Sequence, residues 1–221
     1  MIRIVCLLIG YVFGLFQTAY IMGKAKGIDI REHGSGNAGT TNTLRVLGKK
    51  AGLFVFLGDV LKTVAAVVTV YFIFRNRYPE MIYLLKLYAG LGAILGHNFP
   101  FYLKFKGGKG IASMGGMILA FQWMFIPVGF VLFFGTFGLT NYVSLGSLIM
   151  SAGFFVQMLI FGICRISVFA DIPQNILYEM YMVAFIISGL AFLRHHSNIM
   201  KLIHKEERKT YLFKKNKVDK E

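Results

Sequence analysis

Residues 51–74 read AGLFVFLGDVLKTVAAVVTVYFIF, and this stretch decides the fold class of the chain. A helix of that length rises about 36 Å, which exceeds the roughly 30 Å hydrocarbon core of a bilayer. Only Asp59 and Lys62 interrupt the apolar run, and they lie one helical turn apart. The stretch therefore predicts a transmembrane helix whose two charges either neutralise each other or line a polar cavity inside a bundle.

Five further apolar stretches make the chain polytopic. They cover roughly residues 4–23, 81–98, 111–137, 142–163 and 176–193. Of the 221 residues, 56% are hydrophobic and 15% are charged, which is far more apolar than a soluble domain of this size. We therefore predict an all-α, polytopic integral membrane helical bundle. It forms a single domain over residues 1–205, and a basic, disordered tail follows over residues 206–221.

The distribution of positive charge predicts how the chain crosses the membrane. The formal net charge is +14, with six Lys and Arg residues in 24–50 and nine in 194–221. The positive-inside rule places both segments in the cytoplasm, which six single passes cannot do. We therefore predict that residues 111–137 cross twice and break near Gln122 and Trp123, because Trp favours a membrane interface. This gives seven transmembrane helices, with the N-terminus outside and the C-terminus inside.

Three polar motifs interrupt the apolar spans, and the predicted topology brings all of them to the cytoplasmic face. Motif 1 is GSGNAGTTN at 34–42 with Arg45, motif 2 is GHNFP at 96–100 with KGGKG at 106–110, and motif 3 is RHHSNI at 194–199. Glycine backbone, Lys, Arg, Asn and His are the groups that bind phosphate. The motifs therefore predict a single site for phosphorylated, lipid-soluble substrates, bordered by membrane lipids.

Several other functions are excluded by what surrounds these motifs. Motif 1 has the letters G-x-G-x-x-G, but no strand precedes it, and motif 2 lacks the first Gly and the final Ser or Thr of a Walker A loop. We therefore expect no nucleotide cofactor. No paired acidic motif suits a metal ion, and no G-x-S-x-G or H-x4-D sequence occurs. The basic charge has no soluble domain that could bind nucleic acid.

Two questions stay open from the residues alone. His97 is either an interfacial residue or a general base for a hydroxyl nucleophile, since an imidazole titrates near neutral pH. The chain as a whole is either an enzyme or a small transporter or channel for an organic phosphate or another anion. The polar motifs cluster on one face rather than at the membrane midplane, and this favours catalysis at the surface.

Together, the three motifs resemble those of the bacterial acyl-phosphate:glycerol-3-phosphate acyltransferase family of the PlsY type. The resemblance covers about residues 5–205 and includes Gly58, Asp59, Lys62 and the stretch 142–147. It implies an enzyme of the bacterial cell membrane with its active site on the cytoplasmic face. Such an enzyme transfers a fatty acyl group from acyl phosphate to the sn-1 hydroxyl of glycerol 3-phosphate, giving lysophosphatidic acid and inorganic phosphate. The resemblance also implies contact with the enzyme that produces acyl phosphate.

The same resemblance implies roles for individual residues, without a metal or a cofactor. The predicted catalytic residues are His97, Ser35 and Lys109. The predicted substrate-binding residues are Gly36, Asn37, Asn42, Arg45, Lys106, Gly107, Gly108, Ser144, His195 and Asn198. Within these sets, we expect residues 35–37 and 106–109 to hold the acyl-phosphate head or the released phosphate. We expect glycerol 3-phosphate to be oriented by Arg45, Asn42, Ser144, His195 and Asn198. Either His97 or a substrate phosphate oxygen would take the proton of the attacking hydroxyl.

Overall fold

The structure is a computed structural model that describes residues 1–211, and all regular secondary structure in that part is helical. The α-helices are α1 (Ile2–Gly14), α2 (Thr18–Ala25), α3 (Thr40–Leu47), α4 (Lys49–Phe74), α5 (Ile82–Asn98), α6 (Ile111–Phe121), α7 (Phe125–Phe130), α8 (Thr136–Thr140), α9 (Val143–Ile163), α10 (Gln174–Arg194) and α11 (His196–Ile203). A π-helical segment, Val131–Gly135, joins α7 to α8 into one rod. The all-helical class predicted from the sequence is confirmed.

Within residues 1–211, four helical units are long and apolar enough to cross a bilayer. They are Ile2–Ala25, Lys49–Phe74, Val143–Ile163 and Gln174–Arg194. Two shorter apolar units, Ile111–Phe121 and Phe125–Thr140, stand between the second and third of these. The predicted break near Gln122 is confirmed, since α6 ends at Phe121 and the chain is extended at Gln122. The Gln122 side chain accepts a hydrogen bond from the Met124 N–H at 3.0 Å and starts the next helix.

Helix α5 is the central helix, and glycines let α1 approach it closely. A Cβ on Gly10 would lie 2.0 Å from the carbonyl oxygen of Ala89, and one on Gly92 would lie 2.0 Å from that of Leu7. Small residues allow this backbone contact, which is how helices pack in a membrane without a hydrophobic driving force. The contact fixes the C-terminal end of α5, where motif 2 begins.

The first predicted span differs from the expectation in one respect, because the helix breaks between Gly14 and Thr18. Gln17 is buried at the break, and its side-chain amide donates to the carbonyls of Gly14, Gly96 and His97 at 3.1–3.2 Å. These bonds satisfy carbonyls that the interrupted helices leave open. The break therefore locks the start of motif 2 against α1.

The predicted tail enters the described structure only with its first six residues. Residues 206–211 lie against the helices, and Thr210 is buried there. The disorder expected for this segment from its composition stays a prediction. The rest of the predicted tail, residues 212–221, lies outside the described residues.

Candidate active site

One cavity of about 480 Å³ brings the three motifs together. Its polar lining comes mainly from loops and helix ends, with Asp59 added from within α4, and it includes Ser35, Asn37, Asn42, Arg45, Asp59, His97, Lys109, Ser144, His195, Asn198 and Glu207. Its apolar lining comes from α4, α6, α9 and the rod Phe125–Thr140: Phe56, Val60, Ile118, Leu119, Ile126, Phe130, Phe133, Phe134 and Met150. The cavity is therefore amphiphilic, with a polar head and an apolar groove.

The apolar groove reaches the outer surface of the bundle. Phe130 is 60% exposed and Leu119 is 49% exposed, and both also line the cavity. Gly115 and Gly129 line it too, and a Cβ on Gly115 would meet nothing within 4 Å. A long apolar chain can thus lie along α6 and extend between the helices.

Asn42 organises motif 1 from within. Its buried side chain accepts a hydrogen bond from the Ser35 N–H at 2.8 Å and donates to the carbonyls of Ile30 and His33, both at 3.0 Å. Gly34 and Gly36 have positive φ angles of 63° and 70°, which favour glycine. Asn42 was predicted to bind substrate; it lines the cavity, and its amide also shapes the loop that carries Ser35.

The glycines of motif 2 allow the loop to fold onto the end of α5. The N–H groups of Gly107 and Gly108 donate to the carbonyls of Asn98 and His97 at 3.2 and 3.1 Å. A Cβ on Gly107 would lie 2.0 Å from His97 O, and one on Gly108 would lie 2.0 Å from His97 Nε2. These N–H groups are therefore engaged within the protein, and the two glycines serve by lacking a side chain.

Motif 3 holds this loop through a residue that the sequence analysis did not assign to the site. The Arg194 guanidinium donates to the carbonyls of Gly107 and Gly108 at 3.2 and 3.0 Å, and it lies 5.2 Å from the ring centre of Phe99. Its position in motif 3 was the available signal. Its partners are backbone atoms about 87 residues earlier in the chain, which no sequence pattern reveals.

A second unpredicted residue, Glu207, links three of the polar groups: Ser144 and Asn198 directly, and Lys109 through Asn198. Lys109 Nζ donates to the side-chain oxygen of Asn198. Asn198 Nδ2 and Ser144 Oγ each donate to Glu207 Oε1 at 2.7 Å. Lys109, Asn198 and Ser144 were predicted as site residues from three separate parts of the chain, and the structure brings them within one hydrogen-bonded chain.

Burial alters the protonation of two groups in the polar head. It lowers the pKa of Lys109 to about 8, although the nearby Glu207 carboxylate acts in the opposite direction. Burial also lowers the pKa of His195 to about 4, and the charge of Lys109 adds to this effect. His195 is therefore neutral at pH 7. Its Nδ1 lies 2.7 Å from the carbonyl oxygen of Ala191, so Nδ1 carries the proton and Nε2 keeps a lone pair.

The other predicted residues fall into two groups. Asn37 and Arg45 line the cavity, and Arg45 also donates to Thr210 Oγ1 at 2.8 Å. Gly36 and Lys106 are exposed, and the cavity lining among the described residues does not include them. Two lysines of the same motif thus have different environments, with Lys109 inside and Lys106 outside.

The fold and the site define a class of protein: a helical membrane protein whose polar cavity continues into an apolar groove. The chain belongs to the glycerol-3-phosphate acyltransferase family, whose sequence model matches residues 4–205. The family resemblance drawn from the three motifs is thereby confirmed.

Individual relatives cover nearly the whole chain. "Glycerol-3-phosphate acyltransferase 2" of Bacillus cereus is 34% identical over 212 residues, which are 95% of this chain and 96% of the relative. "Glycerol-3-phosphate acyltransferase" of Bacillus velezensis is 36% identical over 208 residues, which are 94% of this chain and 97% of the relative.

Solved structures give the same result for the fold. The crystal structure of PlsY, an integral membrane glycerol 3-phosphate acyltransferase, in its glycerol 3-phosphate form has a TM-score of 0.79 and 30% identity. It covers 96% of this chain and 99% of that one. The lysophosphatidic acid form gives a TM-score of 0.76 at 28% identity, with 95% of each chain covered.

Proposed function

We propose that this protein transfers a fatty acyl group from acyl phosphate to the sn-1 hydroxyl of glycerol 3-phosphate, releasing lysophosphatidic acid and inorganic phosphate. The observation that carries the proposal is the continuity of the polar head, which contains Lys109 and Arg45, with the apolar groove. An acyl phosphate has an anionic head and an apolar tail, and lysophosphatidic acid has the same two parts. The names of the relatives and the two forms of PlsY support glycerol 3-phosphate as the acceptor and lysophosphatidic acid as the product.

The phosphate groups would be held by Lys109 and by the N-terminus of α6. Helix α6 begins at Ile111 without a side-chain cap, and Gly110, Ile111 and Ala112 line the cavity. Uncapped N–H groups and the positive end of the helix dipole favour an anion there. In this proposal Ser35 and Asn37 close the same space from motif 1, and Arg45 adds positive charge.

Glycerol 3-phosphate would be oriented by Ser144, Asn198 and His195. Ser144 and Asn198 are held by Glu207, and His195 presents an acceptor nitrogen because its Nδ1 proton is engaged. A polyol substrate needs both donors and acceptors, and this part of the lining supplies both. Asn42, Gly107 and Gly108 would support the site by fixing the two glycine-rich loops.

The reaction needs no covalent intermediate on the protein. The substrate hydroxyl attacks the acyl carbon, the new C–O ester bond forms, and the acyl–phosphate bond breaks, with the electron pair leaving on phosphate. Phosphate is already a good leaving group, so a nucleophilic Ser or Cys is unnecessary. Cationic groups and correct placement of two anionic substrates would supply the rate enhancement, without a metal or a cofactor.

The proposed topology has seven passes. They are Ile2–Ala25, Lys49–Phe74, Ile82–Asn98, Ile111–Phe121, Phe125–Thr140, Val143–Ile163 and Gln174–Arg194. With the N-terminus outside and the C-terminus inside, all three motifs face the cytoplasm of a bacterial cell membrane. An enzyme that produces acyl phosphate could then deliver it on the same side.

Labelling with a membrane-impermeant thiol reagent tests this topology. In a Cys164→Ser background, Trp123→Cys should label from outside the cell, and Thr140→Cys should label only from the cytoplasmic side. Labelling of both from the same side would contradict seven passes.

The matched pair Lys109→Met and Lys106→Met tests the proposed site. The assay measures conversion of labelled glycerol 3-phosphate to lipid-soluble product with acyl phosphate as donor. Loss of a desolvated cation should lower kcat/KM by about 10²-fold for Lys109→Met. Lys106 is exposed, so Lys106→Met should change it less than about threefold. Equal losses in the two variants would contradict the assignment, and no product from the unmodified protein would contradict the reaction.

A further inference from the structure

Asp59, Lys62 and His97 form a buried cluster between α4 and the end of α5. Their exposed fractions are 1%, 7% and 3%. Lys62 Nζ lies 2.8 Å from Asp59 Oδ1, 2.9 Å from His97 Nδ1 and 2.7 Å from the carbonyl oxygen of Phe16. Phe16 stands at the break between α1 and α2, so the lysine joins three elements at one point.

The number of protons on Lys62 determines the role of the imidazole. Lys62 is paired with the Asp59 carboxylate as an ammonium group, which has three N–H donors and no acceptor. Among the described residues, three polar atoms lie within hydrogen-bond distance of Lys62 Nζ: two oxygens, which can only accept, and His97 Nδ1. His97 Nδ1 must therefore accept, which requires that it carry no proton. The alternative partner for Nδ1 is Asp59 Oδ1, but at 3.5 Å it is farther than Lys62. Asp59 Oδ1 also accepts from Thr18 Oγ1 at 3.2 Å.

We propose that Lys62 is a positioning residue that fixes His97 as the tautomer protonated on Nε2, so that His97 donates a hydrogen bond into the cavity. The Nδ1 edge faces α4, and the Nε2 edge packs against Gly108 at the cavity that His97 lines. An imidazolium would place its Nδ1 proton against the Lys62 ammonium, so the ring is held neutral.

The second histidine of the cavity has the opposite arrangement. His195 Nδ1 donates to the carbonyl oxygen of Ala191, so its Nε2 is the acceptor. The site thus contains one imidazole fixed as a donor and another fixed as an acceptor. Sequence reasoning could not distinguish these two roles, because the partners that set them are 35 and 4 residues away along the chain.

This inference rests on the proposed function for its chemical consequence. In that reaction the His97 Nε2–H would donate to an oxygen of the acyl phosphate, where negative charge develops as the hydroxyl attacks. The hydroxyl proton would pass to an oxygen of the departing phosphate, which balances the step without a base on His97.

Nitrogen-15 NMR of the histidines tests the tautomer independently of activity. The protein is labelled with 15N-histidine, reconstituted in lipid nanodiscs, and the His97 signals are assigned by their loss in His97→Gln. We expect a protonated Nε2 and an unprotonated Nδ1 for His97, with the reverse pattern for His195. A protonated Nδ1 on His97 would overturn the proposal even if the protein proves to be an acyltransferase.

Substitution of Lys62 tests the positioning role in the same spectra. In Lys62→Met, His97 should lose its single tautomer, while Lys62→Arg, which keeps donors, should retain it if the ring stays buried. Lys86→Met serves as the control, since Lys86 lies at the other end of the bundle and donates to the carbonyl of Phe121. An unchanged His97 pattern in Lys62→Met would overturn the positioning role.

Kinetics then test the donor role within the proposed reaction. His97→Gln keeps an N–H donor but has no basic nitrogen, so it should retain at least tenfold more kcat than His97→Leu. Equal kcat values for both variants in folded protein would indicate that the lost property is basicity, and would contradict the donor role. Absence of activity in the unmodified protein would count against the proposed function and would leave the spectroscopic result standing.

Discussion

Replacement of Gly108 by Ala tests whether this glycine admits the His97 ring to the cavity. A Cβ at position 108 would lie 2.0 Å from His97 Nε2, 2.8 Å from His97 Cε1 and 2.7 Å from the carbonyl oxygen of Ala38. The imidazole is buried and held by Lys62, and the Ala38 atom is backbone, so neither can move as a flexible side-chain end would. The ring or the loop must therefore shift by about 1 Å.

The size of the effect follows from that displacement. A shift of about 1 Å in a group of the active site costs on the order of 10² in rate, and overpacking of this kind costs about 1–3 kcal/mol of stability. We expect kcat/KM for glycerol 3-phosphate to fall about 10²-fold in Gly108→Ala. The assay uses purified protein in lipid nanodiscs, labelled glycerol 3-phosphate and acyl phosphate, with the melting temperature measured in parallel.

Gly115→Ala is the matched control for this prediction. Gly115 lines the same cavity from α6, but an added Cβ there would meet nothing within 4 Å. Its kcat/KM should stay within about threefold of the parent value. Parental activity in Gly108→Ala, or an equal loss in both variants, would refute the steric explanation for the glycine.

Three further predictions concern charge, chain length and the link through Glu207. Because burial lowers the pKa of Lys109 to about 8, its positive charge is lost as the pH rises through that value. The kcat/KM should therefore fall above about pH 8. An active Lys109→Arg variant should keep its kcat/KM above that pH, because arginine stays charged. If kcat/KM of that variant still falls above pH 8, Lys109 is not the cause of the fall. Gly115→Leu should fill the groove and shift the donor preference to shorter acyl chains, while the KM for glycerol 3-phosphate stays within about threefold of the parent value. An unaltered chain-length preference across a series of acyl donors would show that α6 does not line the acyl site. Glu207→Ala leaves the Ser144 and Asn198 donors without their acceptor and should cost about 1–3 kcal/mol of stability. Glu206 is exposed, so Glu206→Ala should cost less than about 0.5 kcal/mol. Equal melting temperatures of the two variants would argue against the role of Glu207 in linking Ser144 and Asn198.

The sequence allowed much of the fold to be predicted, because apolar length is a strong signal in membrane proteins. It located the helix α4 to within a few residues and the break between α6 and α7 at Gln122. The break after Gly14 was missed, since Leu15 and Phe16 are apolar and no proline marks the position. Only the tertiary bonds of Gln17 show why the helix stops there.

The composition of the candidate site was easier to predict than the role of each residue. Glycine-rich loops and cationic side chains indicate an anion site, and the cavity brings most of them together. The sequence could not show that the Asn42 amide hydrogen-bonds within its own loop. Nor could it show that the N–H groups of Gly107 and Gly108 donate to carbonyls at the end of α5. Those assignments depend on which partner each polar group finds across long distances in the chain. The same holds for Glu207, which composition alone placed in a disordered tail.

The proposed reaction is tested most directly by comparing acyl donors with the purified, metal-free protein in lipid. Acyl phosphate, acyl-CoA and acyl-carrier protein are each supplied with glycerol 3-phosphate, and lysophosphatidic acid and inorganic phosphate are quantified. We expect product from acyl phosphate alone, with lysophosphatidic acid and inorganic phosphate formed in equal amounts. Product from acyl-CoA alone, or no product from any donor in folded protein, would contradict the proposed reaction.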